Sequence, residues 1–275
     1  MIASIIRLFS YMVAELLPLG GELHFKLLNY YFKYPMLSSD SIIIVHLILI
    51  LGLTIYFIKD ITRMYAELFK GFWVIASGRA TIRRTFTDLK MLNMLLVSSF
   101  ITIISFFIIL IKSEYNYSLY LMGAMLILSA LILRLSEIFT LIKVEARVMT
   151  ARETIVFVLL QALSMVPGVA RSGVFMSVGK FMGLEKKHLA KMVFISLIPV
   201  LIMEMLFIRE FDVISTVSII QSSWLLCLIL FVLLLVALDV VFVITTSRSY
   251  YKFYYYLAGL GLWTILDFFF SKRGL

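Results

Sequence analysis

From residue 222 to residue 246 the chain carries a single charged side chain, Asp239, in an otherwise apolar run. A run that long belongs either in the middle of a large core or in a bilayer, where one span needs about 20 residues. Residues 91–111, 118–133, 190–208 and 253–271 are similarly long and apolar, or nearly so. A soluble domain of 275 residues has no interior that could bury them all. With 63% hydrophobic residues and a mean hydropathy of +1.06, the chain reads as an all-α polytopic membrane protein. It forms one integral domain over 1–275, multi-pass in the cell membrane. The 23 Phe, 14 Tyr and 3 Trp fit lipid-facing helices with interfacial aromatic belts.

The N-terminal stretch through Gly21 is too acidic, and too unlike a cleavage site, for a signal peptide, so it is expected to stay on the mature protein. Cys227 is the single cysteine and has no internal disulfide partner. The formal net charge of +9 would suit nucleic acid, but its placement argues otherwise. Much of the excess lies between Lys59 and Lys90, in a connection after the segment 42–58, and reads as a cytoplasmic flank beside anionic lipid. By the same rule 91–111 crosses outward, and the stretch with Lys143, Arg147 and Arg152 returns inside.

Lys180, Lys186, Lys187 and Lys191 then carry a second basic flank beyond the apolar segment 155–177. Both flanks share one side if this segment dips into the membrane, breaks at Pro167-Gly168 and returns. The N-terminus has a similar profile, with Pro18 and Gly20-Gly21 interrupting an apolar run. Two broken segments in corresponding positions are the pattern of inverted repeats whose shared site lies where the breaks meet. Plain helices kinked by Pro and Gly are the alternative.

Arg171 stands between Ala170 and Ser172 inside the second broken segment. Its fork of five donors suits phosphate oxygens, and burying it costs several kcal/mol without a partner or wet cavity, on the order of a buried ion. Gly168 and Gly173 let backbone N–H groups approach an anion, Ser172 adds a hydroxyl, and Gln161 can bond the loop or a phosphate. A structural arginine paired to a carboxylate is the competing reading. Glu15 and His24 form the next pair: a histidine as nucleophile or general acid/base, and a carboxylate to orient it or hold a divalent metal. Glu22 could stand in for Glu15 or simply solvate the turn. Glu204, inside an apolar run, calls for a partner such as Arg171 or Arg134, and Asp239 raises the same question. His46 opens an apolar segment and reads as interfacial, His188 as solvated among lysines. The cluster Tyr250, Tyr251, Phe253, Tyr254, Tyr255 and Tyr256 reads as an interface belt, with the lining of a lipid-accessible mouth as the alternative.

The run Gln161-Ala-Leu-Ser-Met-Val-Pro-Gly-Val-Ala-Arg-Ser-Gly-Val-Phe resembles the second signature, QALxLxPGxSRSGxT, of the BacA/UppP family of polyprenyl-diphosphate phosphatases. Residues 183–200 and 46–61 are similar to two further family segments. Tyr11-Met-Val-Ala-Glu15-Leu-Leu-Pro18-Leu-Gly-Gly-Glu-Leu-His24 is similar to its first signature, ExxxEFLPVSSTGH. The resemblance implies inverted repeats, 1–142 and 143–275, with two re-entrant helical hairpins. It implies hydrolysis of a polyprenyl diphosphate to the monophosphate and inorganic phosphate, recycling a carrier lipid. Glu15, His24 and Arg171 fall on the family's second glutamate, histidine and phosphate-binding arginine. A divalent cation, Mg²⁺ or Ca²⁺, would sit on Glu15 and Glu22. The resemblance leaves room for a homodimer and gives no role to nucleic acid.

The departures are specific. Tyr11 replaces the first glutamate, Gly20 and Gly21 the two serines, and Glu22-Leu23 the Thr-Gly. Ala170 and Phe175 replace a serine and the threonine of the second signature, and a Tyr-Arg pair becomes two tyrosines around Tyr254-Tyr255. With the serines gone, His24 is left as nucleophile. The rival function is a non-catalytic polyprenyl-phosphate binding protein or lipid transporter on the same fold.

Overall fold

The computed structural model describes residues 2–78, 103–104, 118–139, 168–206 and 213–271. Gln161, Pro167, Lys143, Arg147, Arg152 and all of the expected span 91–111 except 103–104 lie outside the described residues. Those described form ten α-helices: α1 (Ile2–Leu16), α2 (Gly21–Phe32), α3 (Ser39–Tyr56), α4 (Ile58–Ala76), α5 (Leu119–Ile138), α6 (Arg171–Phe181), α7 (Lys186–Leu206), α8 (Val213–Ser222), α9 (Trp224–Thr246) and α10 (Phe253–Ser271). A 3₁₀ turn, Arg248–Lys252, leads into α10.

Five of these stretches are long and apolar enough to cross a bilayer: α3, α5, α7, α9 and Tyr250–Ser271, which contains α10. The protein is a multi-pass membrane protein, and the apolar runs read from sequence match these helices to within a few residues. Two starts are set by serine caps. Ser38 accepts the Ser41 N–H at 3.3 Å, with Asp40 in the first turn of α3, and Ser118 accepts that of Leu121 at 3.2 Å. Each cap satisfies a donor that the helix itself leaves open.

Lipid gives helices no hydrophobic reason to associate, so close backbone packing has to supply the attraction. The most extensive contact is α5 against α10, and glycines make it possible. A methyl group on Gly123 would lie 2.8 Å from the Gly261 carbonyl oxygen, and one on Gly261 would lie 2.9 Å from that of Gly123. On the other side α3 packs on α7 and α9. Across α3 and α9, Tyr56 donates its hydroxyl to Asp239 Oδ1 at 2.7 Å, so Asp239 has a partner within the bundle.

Two readings of the sequence change here. His46 does not open its segment: α3 begins at Ser39, which places His46 about two turns in, where protein buries it to 4% exposed. The basic stretch after Lys59 is not merely a connection either, because its first part is the helix α4.

Candidate functional site

The two glycine-containing breaks meet. α1 stops at Leu16, the chain turns through Pro18, and Gly20 enters the left-handed region at φ +71° before α2 begins. Gly168, at φ +88°, makes the corresponding turn ahead of α6. Both conformations disfavour any residue with a Cβ. A methyl on Gly20 would lie 3.7 Å from both the Ala170 Cα and the Gly168 carbonyl oxygen, and one on Gly173 would lie 2.8 Å from Pro18 Cβ. Ser129, from the middle of α5, accepts the Ala170 N–H at 2.9 Å and fixes the second turn to the bundle.

Arg171 is the first residue of α6, whose N-terminus has no side-chain cap. The open N–H groups and the dipole of that turn favour an anion beside the guanidinium. Arg171 Nη2 donates to Glu204 Oε1 on α7 at 2.6 Å, with side-chain exposures of 21% and 18%. Of the two partners the sequence offered Glu204, Arg171 is the one found, while Arg134 pairs with Glu137. Arg171 Nη1 is buried and makes no hydrogen bond. Glu15 also reaches Arg171 electrostatically, and its carboxylate lies against the start of α2, where a methyl on Gly21 would come within 2.6 Å of Oε1. Tyr11, one turn earlier on α1, is buried within the fields of Glu15, Glu204, Glu22 and Arg171.

His24 stands on α2 beside the first turn. Its Nδ1 lies 3.2 Å from the Gly20 carbonyl oxygen. As donor to that oxygen Nδ1 carries a proton, and in the neutral ring the lone pair is then on Nε2. Nε2 is buried without a hydrogen-bond partner, and the ring stacks on Tyr256 of α10 with centroids 5.5 Å apart. Glu22 pairs with Lys26 at 2.8 Å. Arg171 and Ser172 open onto a small crevice walled by Phe175, Val193, Ser196, Leu197 and Val200. Ser172 Oγ and the Tyr250 hydroxyl are both buried without a hydrogen-bond partner.

The structure therefore brings Glu15, Arg171 and Glu204 together, with Gly168, Ser172 and Gly173 at the same turn and His24 beside Gly20. Ser129 and Tyr256 were not singled out from sequence as site residues. A lone serine in an apolar span, or one tyrosine among several, carries no local signal of what it touches.

A family model described as bacitracin resistance protein BacA matches residues 12–263. The undecaprenyl-diphosphatase of Borreliella burgdorferi is similar at 26% identity over 253 residues, covering 91% of this chain and 91% of the relative. That of Prosthecochloris aestuarii is 29% identical over 199 residues, 68% of this chain and 67% of the relative. The undecaprenyl-diphosphatase of Geotalea daltonii is 23% identical over 190 residues, 68% of each.

Proposed function

Because the chain belongs to the bacitracin resistance protein BacA family, we propose that it is an integral-membrane phosphatase acting on a polyprenyl diphosphate. The product pair is the polyprenyl monophosphate and inorganic phosphate. The observation that carries the reading is Arg171 at the junction of the two breaks, with a buried Nη1 that has no partner and Glu15 within electrostatic reach. An orphaned guanidinium donor in a low-dielectric site costs free energy until an anion fills it.

In this reading the hairpins are re-entrant and related as inverted repeats, and they hold the diphosphate where their turns touch. Arg171 binds the phosphate oxygens through Nη1 while Glu204 keeps Nη2 in place, so the fork is oriented before substrate arrives. Ser172, Gly168 and Gly173 line the same turn, and Gln161 joins them as a proposed substrate contact. His24 Nε2 attacks the terminal phosphorus, the bridging P–O bond breaks, and the monophosphate leaves. Water then releases inorganic phosphate from the imidazole. Glu15 takes the proton from that water. Glu15 and Glu22 are hard oxygen donors suited to Mg²⁺ or Ca²⁺, and both act electrostatically on Tyr11. Such an ion would neutralise diphosphate charge, and Glu22 would release Lys26 to reach it. The apolar walls of the crevice would lead the prenyl tail back toward lipid.

The second reading, a non-catalytic polyprenyl-phosphate carrier, is favoured by Gly20, Gly21, Ala170 and Tyr11 at positions where the family motifs hold hydroxyls and a carboxylate. Phosphate release from a long-chain polyprenyl diphosphate by purified protein, with and without Mg²⁺ or Ca²⁺, separates the two. Turnover that His24→Ala and Arg171→Ala both abolish is the expected outcome. Binding without turnover in the folded wild type would replace the phosphatase with the carrier.

A further inference from the structure

α4 departs from the rest of the bundle in how its charges are arranged. At 3.6 residues per turn, Ile58, Tyr65, Phe69, Phe72 and Trp73 fall on one arc of the helix. That arc is open: Phe69, Phe72 and Trp73 are 65%, 68% and 71% exposed. Lys59, Arg63 and Lys70 lie together along one edge of it. Asp60 and Glu67 lie further round, on the side that carries Met64, which is 4% exposed, and buried Gly71. Asp60 accepts from Lys191 of α7 at 2.7 Å, so a carboxylate is spent on holding the helix to the bundle. Glu67 comes only to 3.9 Å of Arg63, whose side chain is 72% exposed.

A spanning orientation would put five charged side chains into hydrocarbon, and a water-facing one would put three large aromatic rings into solvent. A helix lying in the interface places the rings among acyl chains and the cations at headgroup depth. The sorting of charge adds a sign: Asp60 is turned to α7, while at the aromatic edge Arg63 keeps only its 3.9 Å contact with Glu67 and Lys59 and Lys70 make no ion pair among the described residues. We propose that α4 is an interfacial helix that binds anionic phospholipid headgroups through Lys59, Arg63 and Lys70. This surface is separate from the Arg171 site and does not depend on the proposed activity. The positive-inside pattern places it on the leaflet where anionic lipid is concentrated.

The test uses the full-length protein in vesicles, with Trp73 left as the sole tryptophan by W224F and W263F. Its fluorescence is quenched by lipids brominated either near the headgroup end of the chain or near the bilayer centre, carried on phosphatidylglycerol or phosphatidylcholine at equal mole fraction. Shallow bromines should quench more than deep ones, and brominated phosphatidylglycerol about twofold more than brominated phosphatidylcholine, as clustered basic residues enrich anionic lipid. K59Q/R63Q/K70Q should bring that ratio to about one while shallow quenching persists, which reports that the helix is still docked. Stronger deep quenching would mean a spanning helix. Absence of bromine quenching would mean that water, or protein such as a second copy, covers the arc. Equal quenching by the two headgroups in the wild type, or a ratio unmoved by the triple substitution, would mean a neutral anchor. Each of these would overturn the proposal.

Discussion

Removing Arg171 and Glu204 singly and together separates two roles that one arginine can play. Breaking a buried ion pair by deleting one partner costs about 3–5 kcal/mol, because the other charge is left stranded. Here each side chain keeps roughly a fifth of its surface open, which lowers the expected cost of R171A or E204A to about 2–3 kcal/mol after allowing for screening. The double variant R171A/E204A strands no charge, so it should lose about 2 kcal/mol less than the sum of the singles, within the range seen for directly paired residues. Unfolding in mixed detergent micelles measures these stabilities, and phosphate release measured on the same preparations completes the comparison. If Arg171 binds the diphosphate, R171A/E204A is about as stable as either single variant and remains about 10³-fold below wild type, a loss of about 4 kcal/mol of transition-state stabilisation. If Arg171 only neutralises Glu204, the double variant turns over faster than either single variant of like stability, and the substrate role is refuted. Additive single effects would refute the coupling itself.

Further outcomes follow from other parts of the site and bundle. His24→Gln should lower kcat by about 10²–10³-fold while leaving affinity for inorganic phosphate nearly unchanged, read by steady-state kinetics and equilibrium binding. A loss confined to affinity would remove His24 from the chemistry. Chelation with EDTA should suppress turnover, Mg²⁺ or Ca²⁺ should restore it, and Glu22→Gln should raise the cation concentration needed for half-restoration; unchanged turnover in EDTA would dismiss the cation. Gly261→Leu, forced against the α5 backbone, should cost about 1–3 kcal/mol or more in micellar unfolding. Wild-type stability would show that the α5–α10 crossing is looser than described.

The spans were legible because a bilayer demands long apolar runs and little else produces them. The breaks were legible at Pro18, Gly20 and Gly168, where the backbone needs conformations that other residues resist. Arg171 and Glu204 were each legible as charges too costly to leave alone, and their pairing was one of two options the sequence allowed. What lay across a helix–helix interface was not legible. Ser129 is one hydroxyl in an apolar run, and its bond to the Ala170 N–H exists only because α5 lies against the second turn. His46 was misplaced because the Ser38 cap starts α3 earlier than hydropathy alone suggests. In α4 the apolar arc is interrupted in linear order by Lys59, Asp60, Arg63, Glu67 and Lys70, and appears only when the chain is wound into a helix.

The pairing of Arg171 with Glu204, next to Glu15, also sets a timetable for synthesis. Glu15 is among the first residues to leave the ribosome, and at about 5–20 residues per second Glu204 follows it on the order of ten seconds or more later. Through that interval Glu15 is without the field of Arg171, and the Arg171–Glu204 pair forms only once α7 has been made. The surroundings of the site are completed later still, because the ring of His24 stacks on Tyr256 of α10. A chain truncated before Glu204 leaves Arg171 without that partner, a costly charge in a membrane.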